Sequence, residues 1–198
     1  EAVPSRQFDI SKIDFDLLSR EFAHTRRKNL LLRDLDELVN QQLAKMLFAN
    51  PQRIDYYDRY QEIIDAYNAE QNRATIEKTF MDLMELASSL DTEQQRYVRE
   101  GFSSDEELSV YDLLFSENLT KQEIETIKKV SVDLLTKIKQ QIAKLDHWTD
   151  KQETKAIVDN LIRNTLWQEL PNSYDVSDIQ TYQKKIYEYV YMRYPEVA

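Results

Sequence analysis

The chain has 198 residues, no cysteine, a single glycine and a net charge of −10 at pH 7. Without cysteine it can form no disulfide, thiolate zinc site or cysteine nucleophile, and this composition is typical of proteins of the reducing cytoplasm. One glycine cannot build the glycine-rich loops that cradle phosphates in nucleotide hydrolases and dinucleotide-binding domains.

Apolar residues recur at intervals of three and four along nearly the whole chain, which predicts amphipathic helices. No stretch is long and apolar enough for a membrane span. The first four apolar stripes run over residues 13–22, 31–47, 56–67 and 76–90. The second stripe ends at Asn50 because Pro51 cannot continue a helix.

Capping patterns predict where the later helices begin. A short polar side chain with Glu or Gln three residues later can cap a helix start, and four such pairs are interpreted as helix starts. These pairs are Asp91 with Gln94, Ser103 with Glu106, Thr120 with Glu123, and Thr149 with Gln152. Gly101 is expected to end the fifth helix in the left-handed conformation. A ninth helix is expected to begin at Ser177 or Asp178 and to end before Pro195.

The pattern as a whole predicts an all-α fold, a multi-helix bundle of about nine helices. Residues 68–74 are mostly polar and form the weakest seam between apolar stripes. We therefore expect an N-terminal helical arm over residues 1–70 and a C-terminal helical bundle over residues 71–198.

Basic residues are concentrated in two segments, although the chain as a whole is acidic. Residues 20–33 have a local charge balance of +4, and residues 128–144 have the same balance. The first segment contains the run Arg26-Arg27-Lys28. Three adjacent cations repel one another unless an anion neutralises them. Contact with a phosphate or an acidic protein of a partner, and plain solvation, are therefore two equally favoured interpretations of this run.

Two histidines could belong to chemical sites. Glu21 and His24 have the E-x-x-H spacing found in di-iron helical bundles, but a second such motif is missing, so an ordinary charged helix face is favoured. His147 lies between Asp146 and Trp148 and could act as a general base. No nucleophile or oxyanion feature accompanies it, and a packed loop histidine is the favoured interpretation.

The C-terminal segment is rich in tyrosine. Aromatic residues at helical spacing could stack nucleic-acid bases, but they more often form a hydrophobic core, so burial is favoured. The residues concerned are Tyr182, Tyr187, Tyr189, Tyr191 and Tyr194.

An ordered set of short motifs extends over almost the whole chain. The set comprises Phe8-Asp9, Ile13-Asp14-Phe15, Phe22, Arg26-Arg27-Lys28-Asn29, Met46, Asn50-Pro51, Arg53, Asp55, Ile63-Ile64, Tyr67-Asn68, Gly101, Ser104 to Leu108, Tyr111 to Leu114, Trp148-Thr149 and Tyr194-Pro195. In its order this set resembles the C-terminal part of the R subunits of type I restriction enzymes.

The resemblance implies a parent subunit with a nuclease domain and two helicase-like motor domains, which use ATP and Mg²⁺ to translocate and cleave DNA. None of those motifs lies in this chain. The resemblance therefore implies a non-catalytic cytoplasmic module without a cofactor of its own, whose first 70 residues adjoin the motor. Its expected partners are the methyltransferase and specificity subunits, with double-stranded DNA as a further candidate and no membrane.

Two sets of residues are singled out for this role. The candidate cationic contacts to DNA or partner are Arg26, Arg27, Lys28, Arg33, Lys128, Lys129, Lys137 and Lys139. The candidate structural residues are Asn50, Arg53, Tyr67, Asn68, Tyr111 and Trp148. Two alternative hypotheses are a stand-alone helical protein-interaction scaffold and a metal-dependent helical enzyme that uses Glu21 and His24.

Overall fold

A computed structural model describes residues 10–195, except for the side chain of Ser11. The described residues form nine α-helices and no β-strand, which confirms the predicted all-α class. The helices are α1 (Phe15–His24), α2 (Lys28–Ala49), α3 (Ile54–Ala69), α4 (Arg73–Gln94), α5 (Arg96–Arg99), α6 (Asp105–Leu114), α7 (Lys121–Ile142), α8 (Gln152–Glu169) and α9 (Val176–Arg193). None of the helices in this part of the chain has the length and apolar character needed to cross a membrane.

The chain divides into two compact units, Glu1–Arg99 and Glu100–Ala198. Within the described residues the first unit holds α1 to α5 and the second holds α6 to α9. The polar seam at residues 68–74 overlaps the end of α3 and the start of α4, and these two helices pack against each other inside the first unit. The division expected after residue 70, between a helical arm and a helical bundle, stays a prediction.

The core of the first unit forms where α4 packs against α2 and α3. The rings of Phe22 and Phe80 stack with their centroids 3.6 Å apart. Tyr60 is buried, and its hydroxyl donates a 2.7 Å hydrogen bond to Asp36 and accepts one from Asn40 at 3.0 Å. Burial, together with the negative charge of Asp36, raises the pKa of Tyr60 to about 12. The tyrosine thus joins α2 to α3 as a neutral phenol.

Helix α7 is the centre of the second unit, because it packs against both α6 and α8. Its buried side chains include Ile127, Leu134 and Ile138. Helix α9 closes the unit by packing on α8 and α6. The buried apolar side chains of α7 therefore hold the helices of the second unit together.

Two of the predicted helix boundaries are confirmed at the level of single residues. Thr120 and Glu123 form a reciprocal capping box at the start of α7. Gly101 has φ of 85°, a conformation that side chains with a Cβ rarely adopt. Both signals succeed because a cap and a left-handed residue depend only on a few neighbouring residues.

Four other predicted helix starts are wrong, because the helix begins at a different residue. Asp91 lies inside α4, which continues to Gln94. Ser104 rather than Ser103 caps α6, and α8 begins after Lys151 without a side-chain cap, so Thr149 is not a cap. Asp175 caps α9, with Asp178 as its capping-box partner in the first turn. A cap needs an extended backbone as well as a polar side chain, and the sequence pattern records only the side chain.

Candidate partner-binding surface

Arg26 and Arg27 occupy the turn between α1 and α2. Helix α1 ends at His24, and the next residue, Thr25, has an extended backbone and accepts at its Oγ1 a 3.1 Å hydrogen bond from the N–H of Arg27. Both arginine side chains are exposed. Within residues 10–195 neither guanidinium has an ion pair with an acidic residue. The turn therefore presents two adjacent positive charges to solvent.

The start of α2 adds partial positive charge at the same turn. No side chain caps this helix, and its first residue follows Arg27 directly. The first N–H groups of a helix lack partners within the helix, and the helix dipole is positive at this end. The positive N-terminal end of α2 would therefore also attract an anion held by Arg26 and Arg27.

Lys28, the third cation of the run, is engaged within the protein. Its ammonium lies 2.8 Å from Oε1 of Glu77 on α4 and 4.9 Å from the centre of the Phe22 ring. Arg73 approaches the same carboxylate oxygen at 3.3 Å. Hydrogen bonds from Lys28 and Arg73 lower the pKa of Glu77 below its usual value. Lys28 thus braces α2 against α4.

The turn borders a surface depression of about 620 Å³. Arg73 and Ile76 of α4 line this depression together with residues 25–30. The side chain of Arg73 is 84% exposed, so it adds a third accessible cation, whose charge Glu77 partly neutralises at 3.3 Å. Sequence reasoning missed Arg73, because no local pattern connects it with residues 25–30, and only the packing of α4 on α2 brings it there. Arg33 is not among the lining residues and lies 3.8 Å from Asp34 with its side chain 72% exposed.

The lysines of α7 are largely paired inside the second unit. Lys128 donates to the carbonyl of Glu100 at 3.0 Å and lies near the rings of Phe102 and Tyr111. Lys137 lies 2.5 Å from carboxylate oxygens of both Asp133 and Glu169, which raises its pKa.

Lys139 is also paired inside the second unit, whereas Lys129 differs from the other three lysines of α7. Lys139 pairs with Glu106 and lies 5.3 Å from the centre of the Tyr194 ring. Lys129 is exposed, and it has no ion pair with any described residue. The α7 segment therefore offers much less available positive charge than its composition suggests.

Asn50 and Arg53, two of the candidate structural residues, form a buried polar cluster after α2. Asn50 is fully buried and accepts a 3.1 Å hydrogen bond from the N–H of Gln52. Arg53 is 3% exposed, and its Nε lies 3.0 Å from Oε1 of Glu93 near the end of α4. The cluster connects the turn after α2 with α4.

The other four candidate structural residues differ in their surroundings. Tyr67 is half-buried against the core of the first unit, whereas Asn68 is exposed. Tyr111 is buried, with its ring 5.3 Å from that of Phe102. Trp148 is 1% exposed, and its indole N–H donates a 2.7 Å hydrogen bond to the carbonyl of Tyr194.

The two histidines lie on the surface. Glu21 and His24 are exposed on α1, and no group of three or more His, Asp or Glu suited to a metal ion occurs within residues 10–195. His147 has a positive φ of 45°, and its Nε2 lies 3.5 Å from Oδ1 of Asp146. Its side chain is 59% exposed.

The tyrosines of α9 are divided between core and surface. Tyr189 and Tyr194 are buried, as the favoured interpretation expected. Tyr187 and Tyr191 make edge contacts with Trp148, and Tyr191 is 39% exposed. Tyr187 and Tyr191 thus pack beside Trp148, whereas Tyr189 packs against Tyr194.

Comparison with known protein families gives a match over nearly the whole chain. The family described as "Type I restriction enzyme HindI endonuclease subunit-like, C-terminal" matches residues 1–194. No curated protein and no solved structure matches the chain.

Proposed function

Because the chain belongs to the family of C-terminal domains of type I restriction enzyme HindI endonuclease subunit-like proteins, we propose that it is a non-catalytic attachment module of an R subunit. It joins that subunit to the methyltransferase and specificity core, and its α1–α2 turn contacts DNA phosphates. The parent enzyme supplies the ATP-dependent translocation and the cleavage.

The proposed DNA contact rests on Arg26 and Arg27 in the α1–α2 turn, neither of which has an ion pair with a described acidic residue. Arg26 and Arg27 are adjacent and exposed, and no acidic residue of the described chain neutralises them. A guanidinium presents a fork of N–H donors that fits a phosphate, and phosphate contacts dominate the affinity of proteins for DNA. The uncapped start of α2 favours an anion at the same place.

The overall charge limits where DNA can approach. A net charge of −10 repels DNA from most of the surface. The depression formed by residues 25–30 with Arg73 is an exception, because Arg26, Arg27 and Arg73 are all exposed there. Phosphate contact at this depression positions DNA without reading its sequence.

The DNA contact is tested in the complete enzyme with the double variant Arg26→Gln/Arg27→Gln. We expect weaker DNA binding and a slope of log affinity against log salt that is smaller by about 2, since each phosphate contact contributes about 0.9. The matched control is Lys45→Gln/Arg163→Gln, which removes the same charge from two other exposed positions. If the two double variants behave alike, the arginines of the turn are not DNA contacts.

The attachment role is tested by removing residues 1–198 from the R subunit. The truncated subunit is expected to lose co-elution with the methyltransferase core on a sizing column, while the nuclease domain stays folded. Unchanged co-elution would contradict the attachment role. Metal analysis of the purified chain tests the remaining alternative, because stoichiometric iron or manganese would favour a metal site at Glu21 and His24.

A further inference from the structure

A groove of about 390 Å³ separates α1 from α2 in the first unit. On the α1 side its lining residues follow the spacing i, i+3, i+4, i+7, which places them on one face of the helix. They are Asp14, Leu17, Leu18 and Glu21. Leu17 is 60% exposed, although an interior position on such a stripe is normally covered.

The α2 side of the groove repeats the same spacing. Its lining residues are Leu31, Asp34, Leu35 and Leu38. Leu35 and Leu38 are 4% and 8% exposed and form the floor, and Leu31 is half-buried. Two helices thus line one groove, each with a stripe of helical periodicity.

This arrangement matches the shape of a third helix. In helical bundles and coiled coils, side chains of one helix insert between residues that recur at three and four positions on its neighbours. Amphipathic helices bind to grooves of this kind through anchors at the same intervals. The exposed side chain of Leu17 is the apolar contact that a third helix would cover.

Acidic residues on the rim indicate the charge of that helix. Asp14, Glu21 and Asp34 border the groove against one cation, Lys12. Arg33 approaches Asp34 only at 3.8 Å, and both side chains are more than half exposed, so this contact neutralises little of the rim charge. A segment with Lys or Arg on either side of its apolar stripe complements this rim, and an acidic segment is repelled.

We propose that the α1–α2 groove binds an amphipathic helix of the methyltransferase core, with an apolar stripe flanked by Lys and Arg. This inference rests on the attachment role proposed above and assigns that role to a surface separate from the α1–α2 turn that holds Arg26 and Arg27.

The first test measures the affinity of the complete R subunit for the purified methyltransferase core without DNA. Leu17→Glu places a charge at the exposed wall of the groove and is expected to weaken binding about tenfold or more, as for a central interface contact. Met81→Glu is the matched control, because Met81 is 57% exposed on α4 and does not line the groove. Equal affinities for the two variants would overturn the proposal.

The second test examines the rim charge. Glu21→Lys is expected to weaken binding several-fold at low salt, with a smaller effect at high salt, because salt screens the attraction between rim and helix. Glu62→Lys on α3 makes the same charge change at an exposed position outside the groove. No difference between these variants at low salt would also overturn the proposal.

A photo-crosslinker at position 17 identifies the occupant. Capture of a methyltransferase segment with apolar residues at helical spacing and flanking Lys or Arg supports the proposal. Capture of a second copy of this chain, or of an acidic segment, refutes it.

The two proposals fail in different ways. If removal of residues 1–198 leaves assembly unchanged, the attachment role itself is wrong. If removal abolishes assembly and Leu17→Glu does not weaken it, only the groove assignment is wrong.

Discussion

Arg53 and Glu93 form a buried ion pair although 40 positions separate them in the sequence, with Nε of Arg53 3.0 Å from Oε1 of Glu93. Both side chains are less than a tenth exposed. Arg96 also donates to both oxygens of Glu93, at 2.9 and 3.0 Å. One carboxylate therefore serves two guanidinium groups at the point where the turn after α2 meets the end of α4.

Loss of this shared carboxylate is expected to cost more than loss of the outer arginine. Glu93→Ala leaves the buried cation of Arg53 without its carboxylate and is expected to lower the free energy of unfolding by about 3 kcal/mol. Arg96→Ala leaves the inner pair intact, and its side chain is 26% exposed, so a loss of about 1 kcal/mol is expected. Denaturant unfolding followed by circular dichroism checks the order. Equal losses would contradict this view of the cluster.

The two tryptophans provide a matched pair for the second unit. Trp148→Phe removes the hydrogen bond to Tyr194 and part of a fully buried ring system, so a loss of about 2 kcal/mol is expected. Trp167→Phe makes the same change at a side chain that is 49% exposed, and its effect is expected to stay within about 0.5 kcal/mol. Both values come from denaturant unfolding followed by circular dichroism. A larger loss for Trp167→Phe would refute the packing role of Trp148.

The capping assignments can be checked with two threonines. Thr120 caps α7, so Thr120→Ala is expected to lower stability by about 1 kcal/mol. Thr149 has the same sequence signal but does not cap α8, so Thr149→Ala is expected to change stability by less than about 0.5 kcal/mol. Thermal unfolding of the two variants measures the difference. A cost for Thr149→Ala as large as that for Thr120→Ala would contradict the observed start of α8.

The ion pair of Glu106 with Lys139 predicts a dependence of stability on pH. Partial burial of Glu106 favours its neutral form, but the hydrogen bond and charge of Lys139 outweigh this and lower its pKa below the ordinary value of 4.5. A lowered pKa in the folded state stabilises the fold above the ordinary pKa, and this contribution is lost as the pH falls through the lowered pKa.

Glu106→Gln should therefore reduce the melting temperature at pH 7 and have a smaller effect well below pH 4.5. Melting curves across this range check the expectation. Glu153→Gln is the control, because Glu153 is exposed at the start of α8. A deficit for Glu106→Gln that persists unchanged at low pH would exclude the ion pair as its cause.

Much of the helical architecture could be predicted from the sequence, because the periodicity of α2, α4 and α7 is a relation between residues three and four positions apart. The Thr120 capping box and Gly101 are equally local. The start of α9 was wrong by two or three residues, because Asp175, Ser177 and Asp178 are all suitable caps and the chain path decides among them.

The state of the charged residues could not be predicted in the same way. Lys128, Lys137 and Lys139 formed part of one basic segment in the sequence, yet each forms an ion pair with the carboxylate of a glutamate about thirty positions away: Glu100, Glu169 and Glu106. Composition records that a charge is present and gives no information on whether another helix neutralises it. Arg26 and Arg27 have no ion pair with a described acidic residue, and Glu77, which α4 brings to the start of α2, pairs with Lys28 and Arg73 instead.

The sequence by itself determined that this chain is helical and where most of its helices run, because apolar periodicity and capping act over a few residues. Only the tertiary structure decided which cations are available to a partner. It also decided that Arg73 lies beside the α1–α2 turn, and that α1 and α2 leave a groove with an acidic rim. These features depend on which helix faces meet, and that choice is made by contacts between residues far apart in the chain.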